Sequence, residues 1–321
     1  MGAREPSCAL AAPIHPVADD VGVKTDVLVV GDANPDLILR GDVRPRFGQA
    51  EQLLDSAELT LGGSAALVAH GLARLGVSVS LCAAVGADAY GDFVRDYLTS
   101  AGVDCGQLQT VDEATGLSVI LSADDRAILT HLGAINSLRP QHLPDPSNYT
   151  HVHAASVYLV SETRKHLADY VRRFQSSSLD TNDDPAGQWA DLAPLLGAVD
   201  VALPNESELG RWAHSLGCEP GSWQEHARCV AQLGATVAIK RGADGGAVVR
   251  RDQEPIEFPA PPITPIDTTG AGDTFDAGFI AGLLDGRSLD EALAWAVRAG
   301  AASTQAAGGA PAQPTRDRLA H

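Results

Sequence analysis

What most limits the folds open to this chain is the alternation of two kinds of apolar segment. "DVLVVGD" (Asp26 to Asp32) is a continuous apolar run closed by glycine. "VSVSLCAAVG" (Val77 to Gly86), "VDVALPN" (Val199 to Asn205) and "TVAIKRG" (Thr236 to Gly242) have the same character. Runs that stay apolar without alternating belong to strands covered on both faces. Between them, apolar residues recur at helical spacing: Val68, Leu72 and Leu75; Phe93 and Leu98; Trp223, Val230 and Leu233; Leu289, Leu293 and Val297. Strands alternating with helices predict an α/β fold, an open and mainly parallel sheet with helices on both faces. Two segments break the rhythm. Leu37 to Leu61 and Gly116 to His131 are strand-rich, with "SADD" at 122–125 as a hairpin turn, and predict a small separate β layer.

Residues 1–24 contain Pro6, Pro13 and Pro16 and read as a mobile tail, leaving 25–321 as one domain. The patch "CALAAPI" is too short and too proline-broken for a signal peptide. With 23 basic against 41 acidic residues, the formal net charge is −18. A nucleic-acid partner needs a basic footprint and is not expected, although one local anion site suffices for a nucleotide. No apolar run is long enough to span a membrane, so no membrane partner is expected. The five cysteines, Cys8, Cys82, Cys105, Cys218 and Cys229, are odd in number and lack paired short spacings. That pattern predicts neither a disulfide framework nor a zinc site, and a reducing, cytoplasmic setting.

In such sheets ligands bind beyond the C-terminal ends of the strands. "GDANPD" follows the first strand with Asp32, Asn34 and Asp36; "NESE" follows another with Asn205, Glu206 and Glu208; "KRGADGG" follows a third. "DTTGAGDTFDAGF" (Asp267 to Phe279) leads into a helix marked by Phe275, Phe279 and Leu283, with Ile280 and Leu284 beside them, ending near Gly286. Gly270, Ala271 and Gly272 thus form the turn at a helix N-terminus, where unpaired N–H groups and the positive dipole end make an anion site. Asp273 sits beside it; the plain alternative is an acid that only complements the dipole. "GGSAALVAHGLARLG" (Gly62 to Gly76) repeats the logic, with Ser64 as a helix cap. A serine hydrolase would use Ser64 with His151, His153 or His166, but the segment before Gly62 is short and polar-alternating rather than a buried strand. The P-loop pattern G-x-x-x-x-G-K-[ST] is absent from the sequence.

Taken together, "GGSAALVAHGLARLG", "DTTGAGDTFDAGF", "VGADAYGDFVRDYLTSAGVD" (Val85 to Asp104), "NESE" and "KRGADGG" resemble the ribokinase-like, or PfkB, carbohydrate kinases from about Asp26 to Pro314. The resemblance implies an open α/β sheet with a small β lid at about 37–61 and 116–131. It implies transfer of the γ-phosphoryl of ATP, with Mg²⁺, to a hydroxyl of a sugar or nucleoside. Because a sugar phosphate would need basic partners and no Arg or Lys lies within Gly62 to Ala73, an unphosphorylated sugar is expected, with a nucleoside as the alternative acceptor. A sugar-sensing protein without catalysis is a more distant alternative. By motif position, Asp273 looks like the base and Gly270, Ala271 and Gly272 like the anion hole. Asn34, Asp36, Gly62, Gly63 and Ser64 fall at the acceptor. Asn205 and Glu208 match an N-x-x-E motif that organises Mg²⁺ and phosphates, Glu208 through water. Lys240, Gly242 and Gly245 match the nucleotide-binding turn. Asp267 and Thr269, completed by Ser303, Ala306 and Gly308, match a loop that holds a monovalent cation such as K⁺ in many members. Related kinases pair through the lid, which implies a homodimer. Three positions depart from the pattern. Leu67 replaces a usual Asn and implies a less polar acceptor pocket. Val297 stands where an Asn often meets adenine. Asp276 replaces a neutral residue and reads as a solvated first-turn acid.

Overall fold

The computed structural model describes residues 25–123 and 126–319. The tail expected at 1–24, and Asp124 and Asp125 of the "SADD" turn, lie outside the described residues.

Among the described residues, thirteen strands form two sheets. In chain order they begin with β1 (Thr25–Val30), β2 (Asn34–Gly41), β3 (Leu54–Gly62), β4 (Val79–Gly86), β5 (Leu108–Val111), β6 (Leu117–Ser122) and β7 (Arg126–His131). Then come β8 (Tyr149–Ala155), β9 (Ser176–Asp180), β10 (Val201–Ala202), β11 (Thr236–Lys240), β12 (Gly246–Val249) and β13 (Ile256–Phe258). The large sheet has the order β13-β12-β11-β10-β9-β8-β1-β4-β5. It is parallel except where β12 pairs with β11 and β13. The small sheet, β3-β2-β6-β7, gathers the two segments that broke the rhythm.

The helices are α1 (Ser64–Arg74), α2 (Ala89–Ser100), α3 (Ser161–Val171), α4 (Leu192–Leu196), α5 (Glu206–Ser215), α6 (Trp223–Ala231), α7 (Ala271–Leu284) and α8 (Leu289–Ser303). They cover both faces of the large sheet. Leu28 and Val30 of β1 pack with Leu167 of α3 and Trp212 of α5, while Val27 and Val29 pack with Leu72 of α1 and Ile280 of α7. That two-sided burial is what an unalternating apolar run predicts. Helix α7 goes further than its expected stripe, because every residue from Asp273 to Gly282 is buried.

One expectation is overturned here. Cys218 and Cys229 form a disulfide across eleven residues, with Cα atoms 6.3 Å apart, joining the end of α5 to α6. Spacing alone did not reveal it, because the packing of these two helices brings the cysteines together.

In strand β9, "SSSLD", two of the three buried serines are satisfied by histidines and Ser177 by Asp200. His151 shares hydrogen bonds of 2.8 Å with Ser176 and Ser178, and His153 shares one of 2.8 Å with Ser178. Burial pushes His151 down to about 3, with His153 adding to the fall, and pushes His153 down to about 4. Both are therefore neutral in the fold and charge in the unfolded chain below about pH 6.5. Stability from this source is complete above that pH and is lost as pH falls through it. Urea unfolding at pH 7.5 and 5.5 tests this. His151→Gln should lose less stability on acidification than the parent, by about 1.4 kcal/mol. An equal loss in both proteins would mean that His151 titrates normally in the fold.

Candidate active site

The motifs converge on the N-terminus of α7. Its N-cap, Gly270, has φ of 68°, in the left-handed region, and a side chain there would start 2.7 Å from the Cα of Gly309. Both facts demand glycine. The first N–H groups of a helix lack helical partners and carry the positive dipole end. The Ala271 N–H leans on the Thr268 carbonyl at 3.3 Å, a long and replaceable bond. An anion at this turn would meet the N–H groups of Gly272 and Asp273 first.

The Asp273 carboxylate is buried, and the Ser64 hydroxyl donates to its Oδ1 at 2.5 Å. This corrects the reading of Ser64 as a cap: the N-cap of α1 is Gly63, and no side chain caps that helix. A hydrolytic role for Ser64 also loses its base, since His151 and His153 are bonded to the serines of β9. Burial pushes Asp273 up to about 6, against the pull of Ser64 and Lys240.

Asp276 is not a solvated acid. It is fully buried, and the Lys240 ammonium lies 3.0 Å from it and 2.5 Å from Asp180 at the end of β9. Asp180 carries no sequence signal beyond its place at a strand end. Burial drives Asp276 well above the usual carboxylate range, whereas for Asp180 burial is outweighed by Lys240 together with the hydrogen bonds from Asp276, Lys240 and the Asn182 N–H, which leave it below its ordinary value. Asp180 is thus the anionic partner of Lys240, and Asp276 is pushed toward its protonated form. The ammonium also lies 3.5 Å from where a side chain on Gly272 would start, at the edge of the anion turn.

A cavity of about 530 Å³ opens from Lys240 and Gly272, passes Phe275 and Val297, and reaches Pro261 and Ile263. Gly242 and Gly245 line it as expected. Its far end is apolar, suited to a flat ring rather than to charged groups. Asn205 and Glu208 do not line it. They form a reciprocal cap on α5: Asn205 Oδ1 accepts the Glu208 N–H at 2.8 Å, and Glu208 Oε2 accepts the Asn205 N–H at 2.9 Å. Burial, followed by Asp180, pushes Glu208 up to about 7.

On the other side of Asp273 lies the mouth of the small sheet. Asn34 opens β2, so Asn34 and Asp36 stand on a strand rather than in the loop the sequence suggested. Asn34 Nδ2 donates to Asp36 Oδ1 at 3.0 Å and to the Ser118 hydroxyl at 3.3 Å. Burial pushes Asp36 up to about 7, with Asp32 the next contributor. A side chain on Gly62 would start 2.0 Å from Asp36 Oδ1, so Gly62 is the space that the carboxylate fills. Asp32 itself accepts the Ala65 N–H at 3.0 Å. Leu67 is turned away from this region: its methyls lie against Gly270 and Gly309, and it belongs to the core.

Asp267, Thr269 and Gly308 are brought together as expected, but Ser303 is not. Its hydroxyl donates to the Gly300 carbonyl at 2.8 Å within α8. Asp267 Oδ1 accepts the Thr269 N–H at 2.9 Å, and Oδ2 accepts the Gly308 N–H at 3.0 Å and Arg40 Nη2 at 2.6 Å. The positive charge that a K⁺ ion would bring is already in place as a guanidinium, so these residues do not fit an added ion.

A buried carboxylate beside a helix N-terminus that can hold a phosphoryl group, at the end of a nucleotide-sized cavity, is the arrangement of a small-molecule kinase. The chain belongs to the pfkB family of carbohydrate kinases, whose sequence profile matches residues 24–316. It is 32% identical over 301 residues to the ATP-dependent ribose-1-phosphate kinase of Halopiger xanaduensis, covering 92% of this chain and 96% of that one. It is 27% identical to the ribokinase of Bacillus subtilis, covering 92% and 98%. The crystal structure of ribokinase from Cryptococcus neoformans in complex with ADP is similar, with a TM-score of 0.78, 27% identity, and 92% and 98% of the two chains covered. The protein is accordingly an ATP-dependent sugar kinase with a ribokinase-like fold.

Gly62→Ala should raise the acceptor KM at least about tenfold, because a displaced Asp36 forfeits a charge-assisted bond of about 1.5–3 kcal/mol. The KM for ATP should not move. Steady-state kinetics with an unchanged acceptor KM would mean that Asp36 yields without cost or does not grip the acceptor.

Proposed function

We propose that this kinase transfers the γ-phosphoryl of ATP to a hydroxyl of an unphosphorylated sugar. The observation that carries this reading is the acidic floor of the acceptor side, where Asp32, Asp36 and Asp273 are buried together. Carboxylates grip hydroxyls and repel a phosphate.

In this reading ATP lies in the cavity with its base past Val297 and its γ-phosphate at the turn Gly270 to Gly272. Asp36, steadied by Asn34, holds the sugar so that one hydroxyl faces Asp273. The hydroxyl oxygen bonds to the γ-phosphorus as the bond to the β-bridging oxygen breaks, and ADP leaves with that electron pair. The hydroxyl proton passes to the Asp273 carboxylate. The helix N-terminus and Lys240 stabilise the charge on the transferring group without reorganising. Ser64 fixes the orientation of the carboxylate that takes the proton.

Mg²⁺ would bring charge neutralisation for the ATP phosphates. The donor set suits it on the α5 side, where burial leaves the Glu208 carboxyl at about 7 and a nearby dication would favour its ionised form. Asn205 positions Glu208 through the shared cap. The small sheet, segments 37–61 and 116–131, acts as a lid that excludes water from the reaction. Two such lids pair in a homodimer. Strand β7 is exposed along its length, and Ile128, Leu129 and Leu59 present apolar surface on this sheet. The requirement for ATP sets the reaction in the cytoplasm. No helix among the described residues is long and apolar enough to cross a membrane.

Two other acceptor classes are separable. A nucleoside needs room for a base over the small sheet, and a sugar phosphate, such as the substrate named for the Halopiger relative, needs cationic partners. A panel of pentoses, hexoses, keto-deoxy sugars, nucleosides and ribose-1-phosphate, read by ADP release, decides among them. Turnover confined to nucleosides or to ribose-1-phosphate would overturn the proposal.

Asp273→Asn should lower kcat by about 10²–10⁴ on the best acceptor, the range for one positioned proton acceptor, and leave the KM for ATP no higher. A variant keeping more than about a tenth of the parent kcat would reduce Asp273 to a helix-start acid. The pH profile gives a second check. Asp36 and Asp273 must be ionised to act, so kcat/KM for the sugar should fall on the acid side near pH 6–7, with the values to which burial raises them. An acid limb near the ordinary carboxylate value of about 4 would count against both roles.

A further inference from the structure

Asp267 lies directly before the anion turn, and its carboxylate joins two loops. Through Thr269 N–H it shapes the entry to α7, and through Gly308 N–H it draws in the loop that follows α8. Gly309, next along that loop, packs against Gly270 so closely that no side chain fits between them. The shape of the anion turn therefore depends on the Asp267 carboxylate staying ionised and in place.

A carboxylate only 9% exposed that gathers amides in this way is favoured further by a positive charge beside it. Arg40 provides it at 2.6 Å, from 227 residues away in the chain. Arg40 stands on β2, four residues beyond Asp36, in the small sheet. Arg126 on β7 of the same sheet donates to the Thr269 hydroxyl at 3.2 Å. Two guanidiniums from one sheet thus meet two of the three residues that lead into the anion turn.

We propose that Arg40 is a positioning residue that supplies, from the lid, the monovalent charge of the Asp267 loop. The anion turn then takes its working shape when the lid is down, and free K⁺ is not required. The link to lid closure rests on the reading of the small sheet given above; the charge replacement rests on the Arg40–Asp267 geometry alone.

The test compares the parent enzyme, Arg40→Met and Arg40→Lys in KCl and in N-methyl-D-glucamine chloride of equal ionic strength. The parent should turn over the sugar at rates within about twofold in the two salts. Arg40→Met keeps most of the stem and loses the charge. Its kcat should fall at least about tenfold in N-methyl-D-glucamine, the scale of one charge-assisted bond, and recover several-fold in K⁺. Arg40→Lys keeps a charge and should remain indifferent to K⁺. Amide exchange supplies a readout apart from turnover: residues 267–272 should exchange faster in Arg40→Met without K⁺ and slow again when K⁺ is added. A parent enzyme stimulated manyfold by K⁺ would overturn the proposal. So would an Arg40→Met enzyme as active and as indifferent to the salt as the parent. Exchange in β2 and β6 on adding sugar judges the lid separately. If those strands gain no protection in the parent, the lid reading fails, and the salt comparison still decides the charge replacement.

Discussion

The ammonium of Lys240 sits between two carboxylates that have almost no contact with water, Asp180 at 2.5 Å and Asp276 at 3.0 Å. Oxygens of Asp180, Asp276 and Asp273 all lie within 4.8 Å of one another. In a low-dielectric interior such a group would force its members apart or out of their charged forms. One cation at its centre makes the arrangement tolerable, because buried charges persist when paired. The pairing spans the end of β9, the end of β11 and the second turn of α7, so it fixes where α7 begins. The anion turn, Asp273 and the near wall of the cavity all take their places from that starting point.

The same burial changes what the acids can do. A helix N-terminus by itself favours a carboxylate in its ionised form and would make Asp273 a poor proton acceptor. Desolvation outweighs the Ser64 hydrogen bond and the Lys240 charge and brings Asp273 to about 6. A group titrating there is better matched to neutral pH than an exposed acid. Burial raises Asp36 to about 7, with Asp32 the next contributor. This side of Asp273 thus holds acids whose charge responds to what lies over them.

Much of this was legible in the chain, and the parts that were not share a cause. The parallel sheet showed because β1, β4 and β11 are apolar on both faces and contiguous in sequence. The turn before α7 showed because its glycines and acid are neighbours. The contacts that crossed the chain did not show. Ser64 reaches Asp273 over 209 residues and Arg40 reaches Asp267 over 227, and no local pattern marks such pairs. Strand β9 was hidden by its serines, whose polarity is absorbed by His151, His153 and Asp200, and Asp180 was missed along with it. Asp276 was misplaced because an amphipathic reading of α7 assumes a wet face. The alanines and glycines of "DAGFIAGLL" were the available sign that both faces are dry.

Gly62 has a different kind of consequence. The Asp36 carboxylate occupies the volume that any other residue at position 62 would need. The two positions are therefore locked as a unit, and neither can drift alone without emptying or blocking the pocket. Ser118 and Thr130, whose hydroxyls share a 3.1 Å hydrogen bond beside Asn34, carry no such lock. In the proposed reading, a redesign of acceptor preference therefore meets a fixed anchor and a variable rim. Such a redesign would exchange side chains on β6 and β7 and leave the pair formed by a carboxylate and a missing methyl group in place.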